Sequence, residues 1–206
     1  MIKQVVLFAI SWRQGGYCVA GKDVKTKEWI RPVTAAGPVP EEQVKGLKLM
    51  DVVEMELGSH VSVHHQSENY EMIDKPWKKI KEVDKTLIKP FLDDPVNIWD
   101  SKLSKGTDSL TPLEITQSVI NTSLCLINPV ELNILHEKRK SDGKDKHYGI
   151  FIFKKQQYKI SITDPIFNSR FRQFGNFVIQ KPVLCISLAE EFKDRGRCYK
   201  LIAGVI

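Results

Sequence analysis

The chain has 206 residues, of which 31 are Lys or Arg and 25 are Asp or Glu, so its formal net charge at pH 7 is +6. This moderate positive charge favours anionic partners such as nucleic acid, nucleotides or lipid head groups, and it excludes a histone-like polybasic protein. No apolar run is long enough to span a bilayer, and the apolar stretch near the N-terminus is too short and wrongly flanked for a signal peptide. We therefore expect a cytoplasmic protein with no membrane partner.

The cysteines and sequence motifs give no indication of a metal or a cofactor. Cys18, Cys125, Cys185 and Cys198 are scattered, no two of them form a CxxC pair, and each lies in or beside an apolar run. Buried thiols are therefore favoured over a zinc site, which usually contains a close pair of ligands. The chain also lacks a P-loop, a Gly-rich dinucleotide motif, HExxH and GxSxG, so nucleotide hydrolase, dehydrogenase and serine hydrolase chemistry has no support.

The first strong pattern along the chain is a predicted β-hairpin. Residues 5–10 form a continuous apolar run, a pair of glycines permits a tight reversal, and residues 17–20 form a second short apolar strand. After a polar turn, residues 28–31 alternate polar and apolar side chains until Pro32, as in a half-buried strand.

Two Trp–Arg pairs belong to this hairpin. Trp29 and Arg31 are two residues apart on a predicted strand, so their side chains are expected on the same face. Trp12 and Arg13 follow the first strand. Two interpretations are open: a core Trp beside a solvated Arg, or a ligand surface on which the rings stack and the guanidinium groups contact phosphates.

A polar segment follows the third predicted strand, which spans residues 48–57. His65 and Glu68 lie in this segment, and a histidine near a carboxylate is the minimum for general acid–base catalysis. Gln66 and Asn69 add further hydrogen-bonding groups for a ligand. A polar surface loop explains the same composition, so the catalytic and the structural interpretations both remain open.

Between residues 70 and 120 the apolar residues recur at spacings of three and four. Residues 77–83 and 86–92 carry this spacing, and prolines interrupt it, which predicts two or three short helices. β-strand character returns after residue 120, with strands predicted at 123–129, 130–135, 150–153, 158–163, 183–188 and 199–206. The charged segment 136–149 between them is interpreted as a solvated loop, because acidic residues dilute its basic run.

Three polar residues near position 165 are further candidates for ligand binding. Asp164 precedes a proline at the end of a strand, which predicts a capped turn, with a contact to a ribose or base edge as the alternative. Arg170 and Arg172 lie in a predicted short helix, residues 166–175, whose Phe side chains occupy one face and leave the arginines on the flank. Guanidinium groups on that flank would contact an anionic backbone.

The strand count predicts a mainly β (α+β) fold with two OB-like small β-barrels and short helical connections. The first barrel is assigned to residues 1–70, a helical connecting region to 71–120, and the second barrel to 121–206. No sequence repeat with a fixed period is evident, so the two halves are expected to share structure but not sequence.

Several segments together resemble the bacterial dual OB-containing domain (DuOB) family over nearly the whole chain. They are Ser11 with Arg13, Cys18-Val19-Ala20-Gly21, Trp29-Ile30-Arg31-Pro32, His65-Gln66-Ser67-Glu68-Asn69, Thr163-Asp164-Pro165, Cys185-Ile186-Ser187-Leu188 and Tyr199-Lys200-Leu201-Ile202-Ala203. The chain departs from the family pattern over residues 98–108, which include Lys105-Gly106-Thr107-Asp108. The resemblance implies a bacterial setting, with the domain as a recognition component of a genome-defence system and with a possible partner protein from that system.

The favoured hypothesis is a module that binds single-stranded nucleic acid or a nucleotide-like ligand in a basic, aromatic-lined OB groove. The candidate ligand-binding residues are Trp12, Arg13, Trp29, Arg31, Gln66, Asn69, Asp164, Arg170 and Arg172. Two alternatives stay open: an enzyme acting on a nucleotide or modified base through His65 and Glu68, and a protein-interaction subunit. DNA, RNA and mononucleotide are not distinguished, and neither barrel is preferred.

Overall fold

The computed structural model is mainly β-strand, and it describes residues 1–13, 15–35, 37–63, 65–118, 120–138, 143–171, 176–192 and 194–206. The chain forms two compact units, Met1–Leu92 with Asn121–Ser123, and Asp93–Ile120 with Leu124–Ile206. Residues 71–120, expected to connect the barrels, are therefore divided between the two units.

The first unit contains a closed five-stranded barrel. Its strands are β1 (Ile2–Arg13), β2 (Gly16–Asp23), β3 (Trp29–Val33), β4 (Asp51–His60) and β5 (Asn69–Met72). They pair in the order β1-β2-β3-β5-β4, β4 pairs again with β1, and the β3–β5 pair is parallel. A short helix, α1 (Glu41–Val44), lies between β3 and β4, and β6 (Lys78–Glu82) pairs with β4.

Apolar residues of the predicted hairpin fill the interior of this first barrel. Val5, Leu7 and Val19 are fully buried there, with side chains from β3 and β4. The β1–β2 turn requires glycine, because a Cβ at Gly16 would lie 2.4 Å from the carbonyl oxygen of Val39. The close approach allows two backbone hydrogen bonds to form between the turn and the segment before α1.

The second unit repeats this strand order. Its strands are β7 (Ser109–Leu110), β8 (Leu124–Ile127), β9 (Glu131–Lys138), β10 (Asp145–Phe153), β11 (Gln156–Ile162), β12 (Asn176–Gln180), β13 (Leu184–Phe192) and β14 (Arg197–Val205). They pair as β12-β9-β10-β11-β14-β13-β8, with β11 and β14 parallel and β7 beside β14. Since residues 128–130 alone separate β8 from β9, the order β9-β10-β11-β14-β13-β8 returns to its start, as in the first barrel.

Two helices belong to the second unit, α2 (Pro112–Gln117) and α3 (Pro165–Arg170). Helix α2 begins with a capping box, in which the Thr111 hydroxyl accepts a hydrogen bond from the Glu114 N–H and the Glu114 carboxylate accepts one from the Thr111 N–H. The predicted fold class, two OB-like barrels with short helical connections, is confirmed.

The helical prediction for residues 77–83 is wrong, because Lys78–Glu82 forms β6. Trp77, Ile80 and Val83 recur at a spacing of three, which suits a helix, but the segment pairs with β4 instead. Residues 86–92 form only two single turns of 3₁₀ helix, Lys85–Leu87 and Lys89–Phe91. The predicted loop at 136–149 is shorter than expected, because β9 continues to Lys138 and β10 begins at Asp145.

Within the described ranges, no helix is long and apolar enough to cross a bilayer. The same residues contain no group of three or more His, Cys, Asp or Glu side chains arranged to hold a metal ion. The four cysteines all belong to the described residues and form no disulfide.

Candidate nucleic-acid interface

Arg31 is held in a buried ion pair in the first barrel. Its guanidinium lies 3.2 Å from Oε1 of Glu68, and the two side chains are 9% and 2% exposed. The backbone N–H of Arg31 also donates to the Glu68 carbonyl oxygen at 2.8 Å. The charge of Arg31 is therefore compensated inside the protein, and its hydrogen-bonding groups face a carboxylate.

Both carboxylate oxygens of Glu68 accept further hydrogen bonds within the same unit. The Ser123 hydroxyl donates to Oε1 at 2.5 Å, and the Ser123 N–H and the Thr122 hydroxyl donate to Oε2, each at 3.2 Å. Glu68 thus joins β3, the β4–β5 connection and residues 121–123. This network resembles a structural anchor more than an accessible acid–base group.

The other polar residues of the β4–β5 connection are also buried. His65, Gln66 and Asn69 are at most 6% exposed, and the Asn69 amide donates to Oε1 of Gln66 at 3.2 Å. Oδ1 of Asn69 has no hydrogen-bond partner among the described residues. The structure brings together the polar residues predicted as a site, but it turns them inward.

Trp29 lies on the outer side of the first barrel, where other residues of the same unit pack against its ring. The Trp29 ring packs edge-to-face on Phe8 with centroids 6.1 Å apart, and Phe8 packs in the same way on Phe91 at 5.6 Å. The ammonium group of Lys22 lies 4.9 Å from the Trp29 ring centroid and donates a 2.8 Å hydrogen bond to the Phe91 carbonyl oxygen. Phe8 is fully buried and Lys22 is 3% exposed.

Trp12 and Arg13 are exposed at the end of β1, and they do not belong to the group of residues that packs around Trp29. The Trp12 side chain is 62% exposed and borders a cleft of about 370 Å³ with Tyr17, Glu41 and Glu42. The two glutamates give this cleft a negative character, which disfavours an anionic backbone.

Asp164 caps helix α3, as its position before proline predicts. Its carboxylate accepts hydrogen bonds from the Phe167 N–H at 3.0 Å and the Val205 N–H at 3.2 Å. Burial raises the pKa of this carboxyl group, although these backbone donors act in the opposite direction. Arg170 is exposed in the last turn of α3, and Arg172 lies outside the described residues.

An open face of the second barrel contains residues that the sequence interpretation missed. Along β10, His147 and Phe151 are buried, and the alternate residues Lys146, Tyr148, Ile150 and Ile152 point away from the core. We call these four residues, with Lys159 of the neighbouring strand β11, the outer face. Ile152 is 64% exposed, so this side of the sheet is accessible.

Tyr148 is flanked by two cations on this outer face. The ammonium groups of Lys146 and Lys159 lie 4.5 Å and 4.6 Å from its ring centroid. Lys159 is also 3.5 Å from the Glu137 carboxylate, an exposed pair that is weak in water. An aromatic ring between two cations can stack on a base while the cations contact phosphates.

The sequence carries no clear signal for this face, because residues 146–152 do not alternate polar and apolar side chains and end in a continuous apolar run. The sequence interpretation placed half of this segment in a solvated loop, because the neighbouring residues are highly charged and contain the turn dipeptide Asp142-Gly143.

Comparisons with known proteins identify one family, and the matching solved structures include two distant neighbours. The model of the dual OB-containing domain family matches residues 3–205. A murine DNA-binding protein solved with double-stranded DNA is 10% identical, with a TM-score of 0.37. The match covers 100% of this chain and 97% of the murine chain. The tetrameric p202 HIN2 structure is 13% identical, with a TM-score of 0.34. The match covers 100% of this chain and 92% of the p202 HIN2 chain. No curated protein sequence matches the chain significantly.

Proposed function

Because the chain belongs to the dual OB-containing domain family, we propose that it binds single-stranded nucleic acid across the outer face of the second barrel. OB barrels bind oligonucleotides on the face of their second and third strands and on adjoining loops. In the second barrel these strands are β10 and β11. Tyr148 between the ammonium groups of Lys146 and Lys159 is the observation that carries the proposal.

The charge beside this face supports an anionic ligand. Residues 138–146, which connect β9 to β10 and form the ends of both strands, include five basic and two acidic residues. Flexible cations next to a stacking ring are the combination that single-strand binding proteins use.

The first barrel offers a less suitable face for the same ligand. Its equivalent strands present Lys22 and Trp29 to Phe91 of the same unit, and its exposed Trp12 lies beside two glutamates. A strand bound there would have to displace internal contacts or meet negative charge.

A half-buried ring on the outward side of a sheet favours single strands over duplex. Bases must be unpaired before they can stack on Tyr148, and the described face has no protruding helix to enter a groove. DNA and RNA offer equivalent π-faces, so both are expected to bind.

The test is fluorescence anisotropy with labelled single-stranded DNA, single-stranded RNA and duplex of about 16 nucleotides. Tyr148→Ala is expected to weaken single-strand binding about 5- to 150-fold, because stacking contributes about 1–3 kcal/mol per base. The double variant Lys146→Ala/Lys159→Ala is expected to lower the slope of log K against log salt by about 1.4.

Trp12→Ala is the matched control, since it removes an exposed aromatic ring from the first barrel. It is expected to leave affinity unchanged. Loss of binding in Trp12→Ala with normal binding in Tyr148→Ala would instead assign the ligand to the first barrel. A protein that binds no nucleic acid but purifies with a stoichiometric partner would support the protein-interaction alternative.

We also propose, from the family alone, that this binding serves recognition in a bacterial defence system. The expected result is that a strain expressing the intact system loses protection against phage when Tyr148→Ala replaces the native chain. Full protection in that variant would contradict the proposal.

A further inference from the structure

A second cleft, of about 380 Å³, opens in the second unit beside the turn between β10 and β11. Its walls come from this turn and from the segment of residues 96–105 that precedes α2. The lining residues that bear on ligand chemistry are Asp100, Lys102, Lys105, Phe153 and Lys154. None of these belongs to the outer face defined above.

Two positive charges in this cleft are uncompensated. The Asp100 carboxylate is neutralised by Lys200, whose ammonium group donates to Oδ1 at 2.8 Å, and Lys154 pairs with Asp94 at 2.5 Å. Lys102 and Lys105 are exposed, and they form no ion pair with any residue in the part of the chain that the structure describes. The cleft therefore presents a net charge of about +2 to a ligand.

The segment that carries these two lysines is held by partly buried hydrogen bonds to Glu114. The Ser101 hydroxyl donates to Oε1 of Glu114 at 2.5 Å, and the Thr111 N–H donates to Oε2 at 2.8 Å. These donors, the Ser101 hydroxyl first, lower the pKa of Glu114 to about 2. Gly106 allows this segment to lie close to β11, because a Cβ at this position would lie 2.9 Å from the Gln157 carbonyl oxygen.

We infer that this cleft binds a phosphate monoester, carried by a free mononucleotide or by the end of a nucleic-acid strand. A monoester carries a charge of about −1.5 to −2 at pH 7, which matches two lysines, and an internal phosphodiester carries half as much. The partly buried Phe153 ring lies beside the same cleft and offers an apolar contact for the attached nucleoside. This site goes beyond the proposed outer face, which needs no terminal phosphate.

The first experiment is calorimetric titration of the full chain with AMP, adenosine and inorganic phosphate. AMP is expected to bind at least about tenfold more tightly than adenosine, and inorganic phosphate is expected to compete with it. The variant Lys102→Ala/Lys105→Ala is expected to lose at least about tenfold in AMP affinity. Equal affinity for AMP and adenosine, or unchanged AMP affinity in this variant, would overturn the inference.

The variant Lys78→Ala/Lys81→Ala is the matched control, because it removes the same charge from exposed positions on β6 of the first unit. It is expected to bind AMP normally. A similar loss in the control would show that net charge alone controls binding, and it would also overturn the inference.

The second experiment separates the two sources of phosphate and the two sites. Oligonucleotides with a 5′-phosphate, a 3′-phosphate or neither end phosphorylated are compared by competition with AMP. Competition by one phosphorylated end assigns the cleft to strand ends, and AMP binding without such competition assigns it to mononucleotides. Tyr148→Ala is expected to leave AMP affinity unchanged, so failure of the outer-face proposal and failure of this inference give different results.

Discussion

Glu68→Gln tests the structural role of the buried Arg31–Glu68 pair. The substitution keeps the size of the side chain and one oxygen acceptor, but it removes the negative charge 3.2 Å from the Arg31 guanidinium. Arg31 would then lose its ion pair with Glu68 in a position where only 9% of its side chain is exposed. The free energy of unfolding of the first unit is expected to fall.

The expected loss is about 3–5 kcal/mol, the usual cost of removing one partner of a buried ion pair. The amide keeps one oxygen, so either the Ser123 hydroxyl or the Ser123 N–H and Thr122 hydroxyl keep their acceptor, and the donors at the other position lose theirs. Glu68→Ala also removes three acceptor contacts, each contributing about 1 kcal/mol, and should be the more destabilised variant.

Urea unfolding followed by tryptophan fluorescence is a suitable assay. Three of the four tryptophans, Trp12, Trp29 and Trp77, belong to the first unit, so the signal reports mainly on that unit. The matched control is Glu56→Gln, which removes the same charge from an exposed pair with Lys75 and should leave the transition nearly unchanged.

Replacing both partners distinguishes a coupled pair from two independent residues. Arg31→Met/Glu68→Leu is expected to be more stable than Glu68→Gln, because no buried charge is left unpaired. A Glu68→Gln protein that unfolds with the native midpoint, or a double variant whose loss equals the sum of the single losses, would refute the reasoning.

Two further predictions concern the second unit. Burial lowers the pKa of His147 below its ordinary 6.5, so protonation of this histidine favours the unfolded chain. The free energy of unfolding should therefore be highest above about pH 6.5 and fall as the pH decreases below it. Urea midpoints from circular dichroism at about pH 7.5 and 5.5 should therefore differ more in the native chain than in His147→Leu, and equal shifts would contradict this. Gly106→Ala should weaken AMP binding several-fold, because the added Cβ would push its segment away from the β10–β11 turn. Gly143→Ala is the control and should leave AMP binding unchanged, because Gly143 has a similar positive φ but no heavy atom within 4 Å of the added Cβ. Equal AMP affinities in the two variants would contradict the second prediction.

Local patterns in the sequence were sufficient to predict the barrel fold. The hairpin, the capping role of Asp164 and the closing strands depend on alternation and turn residues that act over a few positions. β6 was missed because Trp77 and Ile80 have a helical spacing, and pairing with β4 overrides that local preference.

The contacts of the candidate site residues depend on partners distant in sequence. Arg31 and Glu68 are 37 positions apart, and Ser123 is a further 55 away, so their network could not be read from either motif alone. The sequence drew attention to this group of polar residues, but it could not show that they bond to one another. Tyr148 was missed for a different reason, since the residues before it are highly charged and residues 146–152 do not alternate polar and apolar side chains.

The shared strand order of the two barrels allows a direct comparison of the same face in each. In the first barrel, Phe8, Lys22 and Trp29 contact Phe91, a residue tethered within the same unit. A tethered group has a high effective concentration, so a ligand from solution competes poorly for this face. In the second barrel, the equivalent strand β10 exposes Ile152 and directs the half-buried Tyr148 away from the core. We therefore expect the two barrels to have diverged in role, with the first face used for internal packing and the second retained for the ligand.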